Sequence, residues 1–414
     1  MVFEVIDQWT DHSQNGVWSQ RAPILKGGEL ATEDQLMLMK TRDKTVNFQI
    51  LGSQVGLDAG IVDRLGEDGC DNLEAYISNS ADSTLVSFRY DAVRWLAWAE
   101  TNDVDPLAPK ARDVRDYAKD VENGLSPSSV KRMVSNVGVL TGKIAGNANQ
   151  TSSILVAAEM KRQRRKKGAG HKQALAIRQR GDVMNIDESP EPFSIERMLQ
   201  AIATDESLWA ARAKLLLSLG GDTGRRGGEY REAKMGDLRP LNDRSGGGVF
   251  FIPQSKTDQD GVGLVKFASK RTIQYYHEYR SVLKASGGDI RPNAPLFVPI
   301  DRWDKPRCSR GGGGVAMTTK GLIVTLRQVV KRALLSMPGA AEVPLDDIAS
   351  IVRGVSGHSF RVGMAMDLVT AGESIVAVCV EGGWATPAMP VYYTRFISAR
   401  TGAAARLAAR LGYG

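Results

Sequence analysis

Residues 161–167 read Lys-Arg-Gln-Arg-Arg-Lys-Lys, six positive charges in seven positions, and Gly168-Ala169-Gly170 follow at once. Like charges at that density repel and the glycines break a helix. The stretch therefore predicts a linker, 161–172, with a folded body on either side. A chain of 414 residues divided there leaves each side enough length for a hydrophobic core of its own. The apolar content of 42% excludes wholesale disorder. No apolar run approaches the ~18 residues that span a bilayer, so no membrane segment is expected. Acidic residues occur from the fourth position on, where a secretion signal would need an apolar stretch. Cys70, Cys308 and Cys379 are far apart and unpaired in spacing, which fits a reducing cytoplasm and argues against a disulfide framework or a zinc site.

The net charge of +7 conceals a split. Residues 1–80 hold 13 acids and 6 bases, whereas residues 81–180 hold 18 bases and 10 acids. A basic body suits a polyanion, either nucleic acid or an acidic membrane surface. Residues 1–70, acidic and weakly periodic, read as a poorly ordered arm with one helix near Glu33–Met39. From 71 to 160 the pattern is helical. Val93, Trp95, Leu96, Ala97 and Trp98 form one stripe, and Val114, Tyr117 and Val121 form another. Ser126 is an N-cap and Pro127 a first helical residue. Val130, Met133, Val134, Val137 and Leu140 then share one face, leaving Lys131 and Arg132 on the other.

The second body, 173–414, mixes helices with a hairpin. An apolar helix covers Trp209–Leu219. Val249–Gln254 and Gly263–Ala268 are strand-like and flank a turn. Helices resume at Thr319–Leu335, Ser359–Ala371 and Ser374–Val380, and a last one covers 401–414. The glycine runs at 246–248 and 311–314 lack a following Lys-Ser/Thr, so they are loop tips rather than phosphate loops.

Four local patterns carry chemistry together. Arg226 and Glu229 lie three apart after the apolar helix, and Lys256 sits at the hairpin tip. His358 and Arg361 lie three apart at a helix start, and Tyr393 follows Trp384 by nine residues. Singly, each fits a surface ion pair, a solvated lysine, a structural hydrogen bond or ordinary packing. Jointly they supply metal-free phosphoryl transfer. Two guanidiniums can fork onto the non-bridging oxygens of a phosphodiester, a phenol can act as nucleophile, and a lysine or histidine can move the protons. No metal and no cofactor is expected.

This ordered set, with the segments RWLAWA, DVRDYA, HKQALAI, SGHSFRVGMAMD, SIVAVCVEGGW, YYTR and TGAAARL, resembles the tyrosine recombinases of the phage-integrase family over about residues 75–414. The resemblance implies a mainly helical protein: a helical core-binding domain and an α+β catalytic domain with a small antiparallel sheet, closing as a clamp around duplex DNA. It implies that Arg226 and Arg361 hold the scissile phosphate, with Glu229 supporting Arg226. Lys256 would be the general acid, His358 would aid proton transfer, Trp384 would bind and pack at the phosphate, and Tyr393 would form a 3′-phosphotyrosyl bond. The R-x-x-E spacing selects Arg226 over Arg225, and the step from Trp384 selects Tyr393 over Tyr392. The implied partners are double-stranded DNA with an inverted-repeat target and three further copies of the chain, in a cytoplasmic, nucleoid-associated setting encoded by a bacterium, phage or plasmid. Lys131, Arg132, Lys161, Arg162, Arg164, Arg165 and Lys320 are the candidate DNA contacts. A type IB topoisomerase or telomere resolvase is the rival with the same chemistry, and a DNA-binding regulator with a degenerate site is the rival without it.

Overall fold

The computed structural model describes residues 47–168, 173–179, 194–253, 263–309, 313–337 and 340–413. The expected helix at Glu33–Met39 and the hairpin tip with Lys256 lie outside these residues. The chain divides into two compact units between His171 and Lys172.

Among the described residues the first unit is helical: α1 (47–54), α2 (Ala59–Ser78), α3 (Asp82–Thr101), α4 (Ala111–Asp120), α5 (Pro127–Gly138) and α6 (Ile154–Lys167). Ser126 caps α5 by accepting from the Ser129 amide, as its sequence position predicts. Trp95 is fully buried at the centre. Its ring stacks on Trp98 at 5.5 Å and meets Tyr117 edge-on at 5.0 Å, and its indole N–H donates to Pro106 O at 2.9 Å.

Two expectations for this unit need correction. Residues 47–70 are not an arm: Phe48, Val55, Leu57, Ile61, Val62 and Leu65 enter the same core as Trp95. Gly66, at φ 68°, interrupts α2 and shifts its helical phase, which hides the periodicity from a single-period reading. The basic run 161–167 is not a linker either but the last two turns of α6, which stops at Gly168 with φ 76°. Its repulsion is relieved locally. Arg162 reaches Glu122 at 2.7 Å and Glu159 at 2.6 Å, while Lys166 and Lys167 lie 4.0 and 3.8 Å from Glu122. The last-turn cations also face the negative end of the helix dipole.

The second unit is built round α8 (Leu208–Thr223), which is buried from Ala210 to Gly220 and packs against α7 (Ile195–Gln200), the strand Leu264–Ala268, α10 (Lys270–Ala285), α11 (Thr319–Leu335) and α13 (Ser359–Thr370). Strands β1 (Leu238–Pro240), β2 (Gly248–Ile252) and β3 (Leu264–Ala268) form one antiparallel sheet in the order β1-β2-β3. The hairpin β2–β3 falls where the sequence places it; β1 is an addition. Helices α9 (Gly227–Glu232), α12 (Leu345–Gly354), α14 (Ile375–Gly382), α15 (Ala388–Thr401) and α16 (Ala403–Arg410) complete the unit. The extended stretch 173–179 is bonded to α13 and its approach. Leu175 N donates to Gly354 O and Ile177 N to Ser359 O, both at 3.0 Å, and Arg178 pairs with Asp367 at 2.7 Å. Among the described residues no helix is long and apolar enough to cross a membrane.

Candidate active site

Helix α8 ends in a left-handed Gly224 (φ 54°), where a side chain would collide with Met364. The two arginines that follow part company. Arg225 turns inward, 1% exposed, and donates from Nη2 to Glu381 O at 2.6 Å and from Nε to Thr223 O at 3.1 Å. Arg226 stays at the surface of the site. Its Nη1 lies 3.2 Å from Glu229 Oε1, and Glu229 Oε2 accepts from the Arg226 amide, so one carboxylate fixes both backbone and side chain. The Gly227 amide bonds to Gly357 O at 3.2 Å, which brings Arg226 beside the turn before His358. A Cβ on Gly227 would meet Thr319 at 2.9 Å, so the first turn of α11, with exposed Lys320, borders the same place.

His358 occupies the N-cap position of α13, and its amide donates to Ser356 Oγ. One turn on, Arg361 is buried. Its guanidinium lies 4.0 Å from the Trp384 ring centroid, its Nη2 donates to Gly383 O at 3.4 Å, and its Nη1 has no hydrogen-bond partner. Burial, with Arg226 and Arg225 nearby, lowers its pKa to about 10, so it remains a cation at neutral pH.

Trp384 follows a left-handed Gly383 (φ 65°) at the end of α14, and its ring meets that of Tyr393 at 6.3 Å. Tyr393 is 8% exposed within a small apolar cluster of Val362, Ala365 and Val378. Burial raises its pKa above the usual 10.0, and Arg361 and Arg226 oppose that shift. Tyr392 points differently, with Arg395 over its ring at 4.1 Å. The structure thus gathers Arg226, Glu229, Arg361, Trp384 and Tyr393, with His358 at the head of the same helix as Arg361. Among the described residues no group of three His, Cys, Asp or Glu could hold a metal ion.

Nothing in the sequence singles out Lys266 and Glu381, and Arg225, passed over for Arg226, borders the site as well. Lys266, on β3, is 8% exposed and lies 3.3 Å from Glu381 Oε1. All seven candidate DNA contacts are exposed, but two of them are engaged by carboxylates. Arg132 pairs with buried Asp91 at 3.1 Å, and Arg162 is engaged by Glu122 and Glu159.

No family model matches the chain. The recombinase Cre of Escherichia phage P1 is 25% identical over 319 residues, 76% of this chain and 84% of Cre. Among solved structures, the Tn1549 transposon integrase in complex with transposon right end DNA is 15% identical. It covers 79% of this chain and 94% of its own at a TM-score of 0.50, a likeness of fold. XerH recombinase bound to a palindromic difH substrate is 16% identical, with a TM-score of 0.48 over 90% of this chain and 95% of its own. Along most of its length the chain is thus a homologue of Cre, and it shares the fold of the Tn1549 integrase.

Proposed function

We propose that this protein is a tyrosine recombinase, which cuts and rejoins duplex DNA at a specific site through a 3′-phosphotyrosyl intermediate on Tyr393. The observation that carries the reading is Arg361 Nη1, a buried guanidinium nitrogen with no partner of its own, beside a buried phenol and a second arginine. A buried donor left unmade costs about 1–3 kcal/mol, more when charged, and a phosphate oxygen would satisfy it.

In this mechanism the Tyr393 hydroxyl gives its proton to His358 as Oη bonds to the phosphorus, the bond from phosphorus to the 5′ oxygen breaks, and that oxygen departs with a proton from Lys256. Arg226 and Arg361 each contact a non-bridging oxygen and neutralise the charge gained in the transition state. His358, at the N-terminus of α13, adds a donor where the helix dipole already favours an anion. Trp384 supports Arg361 from behind. The displaced 5′ hydroxyl of another strand can then attack the phosphotyrosine, reversing the chemistry with a new partner. The bond energy is conserved, so neither nucleotide hydrolysis nor a metal is needed.

Exposed Lys131, Lys161, Arg164, Arg165 and Lys320 suit phosphate contacts along an inverted-repeat site. Leu407 in α16 and Leu411 at its C-cap, one turn apart, are 55% and 56% exposed, which supports docking of that helix on a neighbouring copy and a tetramer across two sites. Removing 401–414 should then spare single-site binding and abolish recombination.

The test is a nicked suicide substrate. The unaltered protein should form a covalent DNA adduct, and Tyr393→Phe should bind DNA without forming one. Adduct from Tyr393→Phe but not from Tyr392→Phe would move the nucleophile. Relaxation of a two-site plasmid without recombinant product would favour a topoisomerase.

A further inference from the structure

Strand β3 breaks the rule by which a strand buries its apolar side chains. It reads Leu-Val-Lys-Phe-Ala, and alternation would turn Val265 and Phe267 to the core. Instead these are 62% and 61% exposed while Lys266 is 8% exposed. Pairing with β2 sets the phase, with Lys266 opposite Phe250, and a slip of one residue would reverse it. Burying an ammonium while exposing two large apolar groups is costly, and such local violations gather at functional sites.

The lysine is spent on the C-terminal turn of α14. Its Nζ lies 3.3 Å from Glu381 Oε1 and 3.5 Å from Val380 O. Arg225 Nη2 donates to Glu381 O at 2.6 Å, and Arg361 Nη2 to Gly383 O at 3.4 Å. The last carbonyls of a helix lack partners within it and attract positive charge. Here three cations, from β3, from the turn after α8 and from α13, converge on the turn that delivers Trp384. That turn is tight. Gly383 is left-handed, and a Cβ there would lie 3.2 Å from Arg225 Nη1.

We propose that Lys266 is a positioning residue for the phosphate clamp: it holds the Val380–Gly383 turn so that the Gly383 carbonyl and the Trp384 ring seat Arg361. The inference rests on DNA cleavage by Tyr393 as proposed above. Lys266 is not the acid for the leaving group, because its ammonium is buried and directed at Glu381.

The experiment uses the full chain and single-turnover cleavage of a suicide duplex, with DNA affinity measured alongside. Lys266→Met, which keeps the length and removes the charge, should bind DNA within about threefold of the unaltered protein and cleave at least tenfold more slowly. A 5′-thio leaving group, which needs little protonation, should not restore the rate. A methylphosphonate at the scissile position lacks one of the anionic oxygens that the arginines clamp, and should narrow the gap to less than threefold. Glu381→Gln, a milder change at the half-buried partner, should show a smaller loss with the same narrowing, and serves if Lys266→Met does not fold. Cleavage at the unaltered rate by either variant would overturn the proposal. So would thio rescue, which would make Lys266 the acid, and so would a defect undiminished on methylphosphonate, which would make it merely structural. If the unaltered protein forms no adduct at all, the cleavage reading fails first and the proposal falls with it.

Discussion

The guanidinium of Arg361 lies over Trp384, 4.0 Å from the ring centroid, with one terminal nitrogen donating to Gly383 and the other unpaired. A planar fork packed against an indole keeps its donors fixed before any ligand arrives, which a flexible ammonium does not. Arg361→Lys should therefore retain most DNA affinity and lose cleavage. We expect a loss of about a hundredfold or more, or about 3 kcal/mol in the barrier. Single-turnover adduct formation measures it, and a loss under fivefold would count against the clamp.

Tyr393 should titrate late in the free protein. Burial holds its hydroxyl above the ordinary 10.0, and the positive charges of Arg361 and Arg226 pull it down. Arg361→Met removes one of those charges, so the Tyr393 midpoint should rise further. Carbon NMR of labelled tyrosine, with Tyr393→Phe as the assignment control, reads both shifts. A midpoint below 10 in the unaltered protein contradicts the burial argument.

Acid should loosen the first unit through one ion-pair cluster. Hydrogen bonds from Arg162 hold the Glu122 and Glu159 carboxyls below their ordinary 4.5. Carboxyls depressed on folding stabilise the native state above that value, and the stabilisation is lost as pH falls through the folded values. Arg162→Met should therefore lower the melting temperature of the first unit at pH 7. The difference from the unaltered protein should shrink as the pH drops below about 4. Calorimetry across pH would show it, and a difference constant with pH would refute the linkage.

The exposed residues of α6 should behave in the opposite way. Ala in place of Lys161, Arg164 or Arg165 should leave the melting temperature unchanged. Each should reduce the slope of log affinity against log salt by about 0.9 for every phosphate it no longer neutralises. Titrations at several salt concentrations separate these residues from Arg162, whose replacement should act on stability first.

Gly363→Ala should destabilise the second unit without touching a charged group. The added Cβ would lie 1.8 Å from Ile177 O, a backbone atom that cannot rotate away. Overpacking of this kind costs about 1–3 kcal/mol, and the upper end is expected where backbone must yield. Urea denaturation measures the loss, and cleavage should fall too because Ile177 is bonded to the first turn of the helix carrying Arg361.

The features legible in the sequence are local ones. The Ser126-Pro127 start of α5, the apolar run of α8, the hairpin and the helix headed by His358 are each specified by capping residues or periodicity within about fifteen positions. The spacing of Arg226 to Glu229 was legible for the same reason, since three residues at a helix start fix a carboxylate against its own neighbour. Packing settled whatever depends on residues far apart in the chain. The charged run 161–167 is helical because Glu122, forty residues before Arg162, neutralises its end. Residues 47–70 are core because α2, broken at Gly66, has the rest of the first unit to pack upon. Lys266 is buried because the pairing register of β2 and β3 turns it toward Glu381, 115 residues away, and neither partner betrays the other in sequence. Local periodicity specifies which face an element has; only the packed chain specifies what that face meets, because the free energy of burying a charge depends on the partner that arrives from elsewhere.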